Sequence, residues 1–467
     1  MPRRSTPHGL SLICRVQSCA VAIILAFVPL WAKTYANDNA LAVAGHLVGH
    51  GGPIKTIASD QKSGQLITGS FDYAMMLWKL NEDGIAKRLK RFDDHDGAVS
   101  SVLFHPDGHR ALAGSDDGVL HVWDLHSGTR FHLLSGHEAK ILGLATDADG
   151  QSAASASWDG TVRVWDLTAG RVRHILKGHT GPVNAVSFSR DGKTVASAAS
   201  DGTIRLWDAQ TGALRRVAYR HGWGINVLQR VGAGDHYLFG ALDGSAGIFD
   251  PEADAVVVTL KAHEKPVLSI AVLDKPGLVA TGGGGGEIRI YRQGDWRLLE
   301  TYRNPLGPIW AMAFADRGAR IYFGSLDDHA TSWQIRPRKP FEQIASKFPR
   351  RFQIKNDVSL GELQFARKCS ICHTLTPDGA NRAGPTLYGV FGRKAGSLKG
   401  YPYSPALKSL SLTWTAETIG KLFELGPHDY TPGSKMPLQR IAEKEKRDSL
   451  ISFLQIATAK DKSEAAK

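Results

Sequence analysis

Cys369-Ser370-Ile371-Cys372-His373 sets two thiols three positions apart, with an imidazole directly after the second. Such a pentapeptide can add both thiols to the two vinyl groups of haem, and the following imidazole then reaches the iron from the same side. One short segment would supply both tethers and one axial ligand. Taken alone, a Cys-x-x-Cys pair could equally serve redox or zinc chemistry, so its surroundings must decide. The element that has to present these groups lies just ahead of them. GELQFARKCSICH (361–373) reads as an amphipathic helix with Leu363, Phe365 or Ala366 and Cys369 turned inward.

The chain of 467 residues is long enough for two or three domains, each with a core of its own. Its fifty glycines and eleven tryptophans point to many tight turns, as in an all-β repeat architecture. Residues 1–36 read as a secretory signal peptide. Arg3, Arg4 and Arg15 give a positive start, and Cys19 to Ala32 is an apolar run of fourteen, short of the roughly 20 residues of a membrane span. Thr34 and Ala36 suit cleavage before Asn37, and an uncleaved anchor is the alternative.

Export changes the cysteine count. Cys14 and Cys19 leave with the signal, so the mature chain keeps only Cys369 and Cys372, which is no disulfide framework. The signal also removes four basic residues and no acidic one, and the charge falls from +12 to +8. A basic protein favours acidic partners.

Aromatic residues recur at Trp78, Trp123, Trp165, Trp207, Phe249, Tyr291 and Trp333, first at an interval of forty-five and then five times at forty-two. Gly-His stands at 49–50, 136–137 and 178–179, and Trp-Asp at 123–124, 165–166 and 207–208. Over residues 42–336 this resembles the WD-repeat family, which implies a seven-bladed propeller. In that family a His, a Ser or Thr, a turn Asp and the Trp hydrogen-bond across a blade. The matching sets are His50, Thr68, Asp72, Trp78; His137, Ser155, Asp159, Trp165; and His179, Ser197, Asp201, Trp207. Blade two has Ala113 where the hydroxyl belongs. Blades five to seven depart further, with Phe249 and Tyr291 for Trp, Gly285 for the turn Asp and Pro305 at the His position. The piece before His50 (41–48) is expected to pair onto the last blade and close the ring. The propeller reads as a partner-docking platform or as a rigid scaffold. Gly282 to Gly286 lacks a following Lys-Ser/Thr and is no phosphate loop, and this half shows no zinc spacing, Gly-x-Ser-x-Gly or calcium loop.

Residues 337–354 form a basic linker in which Pro337, Pro340 and Pro349 argue against one long helix. It serves either as a solvated connector or as a docking strip for an acidic partner. From 355 to 458 the order of segments, Cys-x-x-Cys-His, AGPTLYG (383–389), YPYSPAL (401–407), PGSKM (432–436) and a closing helix with Leu450, Ile451, Phe453 and Leu454, resembles class I cytochrome c of the mitochondrial and α-proteobacterial type. Residues 459–467 are a solvated tail. The fold class is therefore multidomain, an all-β seven-bladed propeller followed by an all-α cytochrome c domain.

The resemblance implies one haem c joined through Cys369 and Cys372, with His373 and Met436 as the axial metal ligands. It implies a bond from the far nitrogen of His373 to the carbonyl of Pro385. Arg393, Tyr401, Tyr403 and Trp414 match positions that hold the haem propionates. Many relatives carry a tyrosine where Phe423 stands, so a hydrogen bond near the methionine sulfur is missing here. The function so implied is that of an exported, periplasmic electron carrier of a Gram-negative bacterium, not an enzyme. Its partners are redox proteins with acidic docking surfaces that meet Lys368, Lys394, Lys399 and Lys435. Nucleic acid has no place in this reading, and membrane association comes only through a partner or an uncleaved signal. The alternatives are an oxidoreductase with a propeller-borne active site that uses the cytochrome as its electron outlet, and a gas sensor or peroxidase in which Met436 leaves the iron.

Overall fold

The structure, a computed structural model, describes residues 45–81, 83–305, 307–338, 358–370, 372–377, 384–401, 403–434, 436 and 439–459. The signal segment, most of the linker, Lys435 and nearly all of the tail lie outside the described residues.

The forty-two-residue period becomes seven four-stranded antiparallel sheets. The first blade holds Ile54–Asp60, Gln65–Ser70, Met75–Leu80 and Ala86–Phe92, and the last holds Ala311–Ala315, Arg320–Gly324 and His329–Gln334. The fourth strand of that last blade is Leu47–Val48, with Leu47 opposite Ala330 and Val48 opposite His329. The N-terminal piece thus closes the ring as the repeat phase demands. Apolar clusters sit between neighbouring blades. Ile67, Met75, Leu77 and Phe92 of the first pack against Val99, Val102 and Trp123 of the second. The blades approach closely because each second strand places a small residue at the contact. A Cβ on Gly69 would meet Val99 Cγ1 at 2.5 Å, and one on Gly240 would meet Val267 Cγ1 at 2.4 Å.

The hydrogen-bond sets expected in blades one, three and four are present. In blade one the His50 Nδ1–H donates to Asp72 at 3.0 Å, and Thr68 Oγ1 lies 2.7 Å from Nε2 and accepts from the Trp78 indole at 2.9 Å. The Ser155 and Ser197 hydroxyls do the same for His137 with Trp165 and for His179 with Trp207. In blade two, where Ala113 has no hydroxyl, the Trp123 indole donates directly to His95 Nε2 at 3.3 Å. Blade six keeps more chemistry than its sequence promises, since His263 Nε2 lies 2.8 Å from Thr281 Oγ1.

One expectation is corrected. The His position of blade seven is taken by Asn304, not Pro305. The Asn304 N–H donates to Gly286 O at 2.7 Å just as the His263 N–H donates to Gly244 O at 2.8 Å, and its side-chain amide donates to Ser325 at 3.1 Å. The chain from His263 is one residue shorter than the repeat, and proline has no N–H to give.

Beyond the propeller the described residues form five helices, α1 (Leu360–Lys368), α2 (Pro405–Ser409), α3 (Ala416–Leu425), α4 (Pro427–Tyr430) and α5 (Lys444–Ala457), with an isolated bridge between Lys394 and Thr413; α5 packs against α1 and α3, and α3 against α4. Ser359 caps α1 by accepting from the Glu362 N–H at 3.1 Å. Gly361 lets α1 lie against α5, for a Cβ there would meet Ser449 O at 2.1 Å. Phe365, Ala366 and Cys369 are buried as the periodicity predicts, whereas Leu363 is only half-buried and Gln364 is buried in its stead. The reason is the Gly361 contact, which rotates the covered stripe of α1 toward α5. Among the described residues no helix is long and apolar enough to cross a membrane.

Candidate functional site

The end of α1 positions the reactive triplet. The Cys369 N–H donates to Phe365 O at 2.8 Å, and the turn continues with Cys372 and His373 N–H both donating to Cys369 O, at 3.0 and 2.9 Å. Cys369, Cys372 and His373 therefore fall at i, i+3 and i+4 on one face of a helical turn. The Gly384 N–H donates to Cys372 O at 2.7 Å, which ties the next strand of chain to this turn. His373 then donates from Nδ1 to Pro385 O at 2.7 Å, which leaves Nε2 as the ring nitrogen suited to a metal. Gly384 is what permits this pose. A Cβ there would stand 2.3 Å from His373 Cε1.

All nine residues expected at the site, Cys369, Cys372, His373, Pro385, Arg393, Tyr401, Tyr403, Trp414 and Met436, line one cavity. The Met436 segment is shaped by hydroxyls. Thr431 Oγ1 donates to Pro427 O at 3.0 Å and lies 3.2 Å from Ser434 Oγ, whose hydroxyl it can accept, and Gly433 turns with φ +75°. The Arg393 guanidinium is more committed than expected. Its Nη2 donates to Thr386 O at 2.7 Å and its Nη1 to Tyr388 O at 3.2 Å, so two of its nitrogens hold the loop after Pro385. Trp414 is fixed by backbone bonds with Gly392 and Arg393, at 2.8 and 2.9 Å. The Tyr401 and Tyr403 rings meet edge to face, 4.6 Å apart.

The electrostatics fit a dry, apolar site with a polar rim. Burial pushes the Cys369 thiol up to about 12, aided by Cys372. That is the reverse of the lowered thiol of redox and metal-thiolate sites. Cys369 and Cys372 form no disulfide, and no three His, Cys, Asp or Glu side chains converge to hold a metal ion among the described residues. Burial also raises both tyrosine hydroxyls, which stay protonated and able to donate to carboxylates. Burial lowers Arg393. These residues fit an iron porphyrin: two thiols, an imidazole aimed by its far nitrogen, a thioether, apolar walls and donors for two acid groups.

Sequence reasoning missed several wall residues. Leu387, Val390, Ile419 and Leu422 line the cavity, beside Leu454 of the closing helix and Phe423, which is buried and brings no hydroxyl. Phe71 and Tyr73, from the turn of blade one, line it too. The signal for Tyr73 was legible: it stands where other blades carry the turn glycine.

Fold and site together define a protein in which a WD-type propeller is joined to a small helical unit built around Cys-x-x-Cys-His and a loop methionine. The profile of the WD domain, G-beta repeat, matches residues 86–124, 128–166, 170–208 and 255–292. Over 22% of its length the chain is 37% identical to a cytochrome c of Gibberella zeae and covers 95% of it. It is 36% identical to a cytochrome c of Ginkgo biloba, covering 92%, and 39% identical to one of Chlamydomonas reinhardtii, covering 91%. Through this stretch the chain belongs to the cytochrome c family.

Proposed function

We propose that this protein is an electron carrier of the class I type, with an all-α haem domain that binds one haem c. Cys369 and Cys372 would hold it by thioether bonds, His373 and Met436 would ligate its iron, and Tyr401, Tyr403, Trp414 and the N–H groups that Arg393 has left would meet its propionates. Bound there, haem would supply reversible one-electron exchange between ferric and ferrous iron, at a potential raised by the thioether. The observation that carries this reading is the convergence of all nine residues on one cavity, with His373 anchored to Pro385.

The chain's own residues define the rest of the work. Apolar walls keep water from the site, His373 is held in a single orientation, and Phe423 in place of a hydroxyl leaves the Met436 sulfur without that partner. Lys368 borders the cavity while Lys394 and Lys399 are exposed, which supports salt-sensitive docking of acidic redox partners near the crevice. The basic start and apolar run of residues 1–36 support export to the periplasm. The propeller is then a scaffold that adds a second docking surface.

Addition of carbon monoxide to the reduced protein tests the filled coordination sphere. Slow or absent binding, together with uptake of one electron per chain in a reductive titration, is the expected result. Prompt binding would mean an open iron and a sensor or peroxidase.

A further inference from the structure

In the turn between the second and third strands of a blade, five blades place a glycine with left-handed backbone, Gly118, Gly160, Gly202, Gly244 and Gly286, at φ between +75° and +89°. Blade one places Tyr73 there, at φ +62°. A bulky side chain in this region carries a conformational cost that glycine avoids, and such strain persists where the surroundings impose it, often at functional sites. Here the surroundings impose it strongly. The neighbouring Asp72 is fully buried and accepts from the His50 ring, from the N–H groups of Gly51 and Ala74, at 2.8 and 3.1 Å, and from Arg91 at 3.1 Å. On its other side the backbone of Tyr73 faces buried His95 of blade two. The turn is pinned, and the aromatic ring is the part that projects.

It projects into the crevice of the C-terminal unit. Phe71 and Tyr73 line the same cavity as Cys372, His373 and Tyr401. Tyr73 is half-buried, and that burial pushes its hydroxyl up to about 12; after burial the largest influence on it is Cys372, and Tyr401 in turn feels Tyr73. Phe71 is braced edge-on against Trp310 at 5.9 Å, with Lys55 Nζ 5.7 and 5.1 Å from the two ring centres.

We propose that the Phe71–Asp72–Tyr73 turn is a wall of the haem crevice, by which the propeller docks over the Cys372 edge and restricts the access of outside electron donors and acceptors to that edge. The first partner of the haem unit is then its own propeller, and full exposure of the edge requires the two to part. The inference rests on the haem reading above. It assigns the propeller a task inside the molecule, whereas a docking scaffold would act only on other proteins.

The test compares the full-length wild type with Tyr73→Gly, which restores the residue that other blades use, and with Tyr73→Phe, which keeps the ring. Each is reduced, and the rate of its oxidation by ferricyanide is followed at the haem band. A severalfold faster oxidation in Tyr73→Gly, with the slow rate largely restored in Tyr73→Phe, is the expected result. Equal rates in a folded, pigmented Tyr73→Gly would overturn the proposal. Should Tyr73→Gly fail to fold, the wild type labelled with fluorotyrosine decides. The fluorine resonance that is lost in Tyr73→Phe must shift between the ferric and ferrous states, and an unmoved resonance would overturn the cover. A chain without pigment overturns the haem reading itself, and the cover with it.

Discussion

The Nδ1–H of His373 donates to the carbonyl of Pro385 across 2.7 Å, and Gly384 leaves just enough room for the ring to do so. A hydrogen bond of this kind sets which nitrogen faces a metal and how basic it is. Gly384→Ala would drive a methyl group into the imidazole. The expected outcome is a protein with haem poorly incorporated or with the axial imidazole displaced, read as loss or broadening of the reduced absorption bands. Loss of such a supporting contact typically costs about 10- to 100-fold in affinity or activity.

Met436 makes a separate prediction, because it lies on a loop shaped by Thr431 and Ser434 and away from α1. Met436→Ala should leave the covalent pigment in place, lower the reduction potential and open the iron, so that the reduced variant binds carbon monoxide promptly. Unchanged carbon monoxide binding would mean that another group sits opposite His373.

In the propeller, Ser155 serves both His137 and Trp165 with one buried hydroxyl, at 2.8 Å to each. Ser155→Ala leaves two buried groups without that partner and should cost about 1–3 kcal/mol, seen as a lower unfolding midpoint of the propeller. The reverse change in blade two, Ala113→Ser, supplies a hydroxyl that His95 and Trp123 now do without. Its effect should be small or stabilising.

Acid should weaken the propeller. Burial holds His46 and His95 down to about 3, and His121 and His263 to about 4. The unfolded chain takes up these protons below about pH 6.5 while the folded chain does not, so stability falls as pH drops from about 6.5 toward 4. Asp72, held down to about 2 by His50 and Arg91 against the cost of burial, adds a further loss between the ordinary carboxylate range and that value. Both ring nitrogens of His121 lack a hydrogen-bond partner among the described residues. His121→Phe should therefore flatten the acid slope by one proton's worth, about 1.4 kcal/mol per pH unit. Denaturant melts at pH 7.5, 6 and 5 measure it.

The site was legible in the sequence to an unusual depth because its chemistry is local. Cys369, Cys372 and His373 lie within one turn, and the Pro385 and Met436 segments each carry their own turn residues. The propeller was legible because Trp and Asp-Gly pairs repeat in phase. What escaped depends on shape rather than pattern. The one-residue shortening that puts Asn304 in place of Pro305 is hidden, since the chain regains its phase before Trp333. Gln364 is buried in preference to Leu363 because Gly361 sets how α1 meets α5. The strained turn at Tyr73 could be read as an oddity of blade one, but its place in the crevice follows only from how the two halves of the chain sit together.

The most direct measurement is an acid-acetone extraction of the purified protein, followed by the alkaline pyridine spectrum of what stays with the polypeptide. The account predicts that the pigment remains bound and gives the haemochrome of a doubly thioether-linked haem, one per chain. Pigment released into the acetone, or no haemochrome at all, would contradict it.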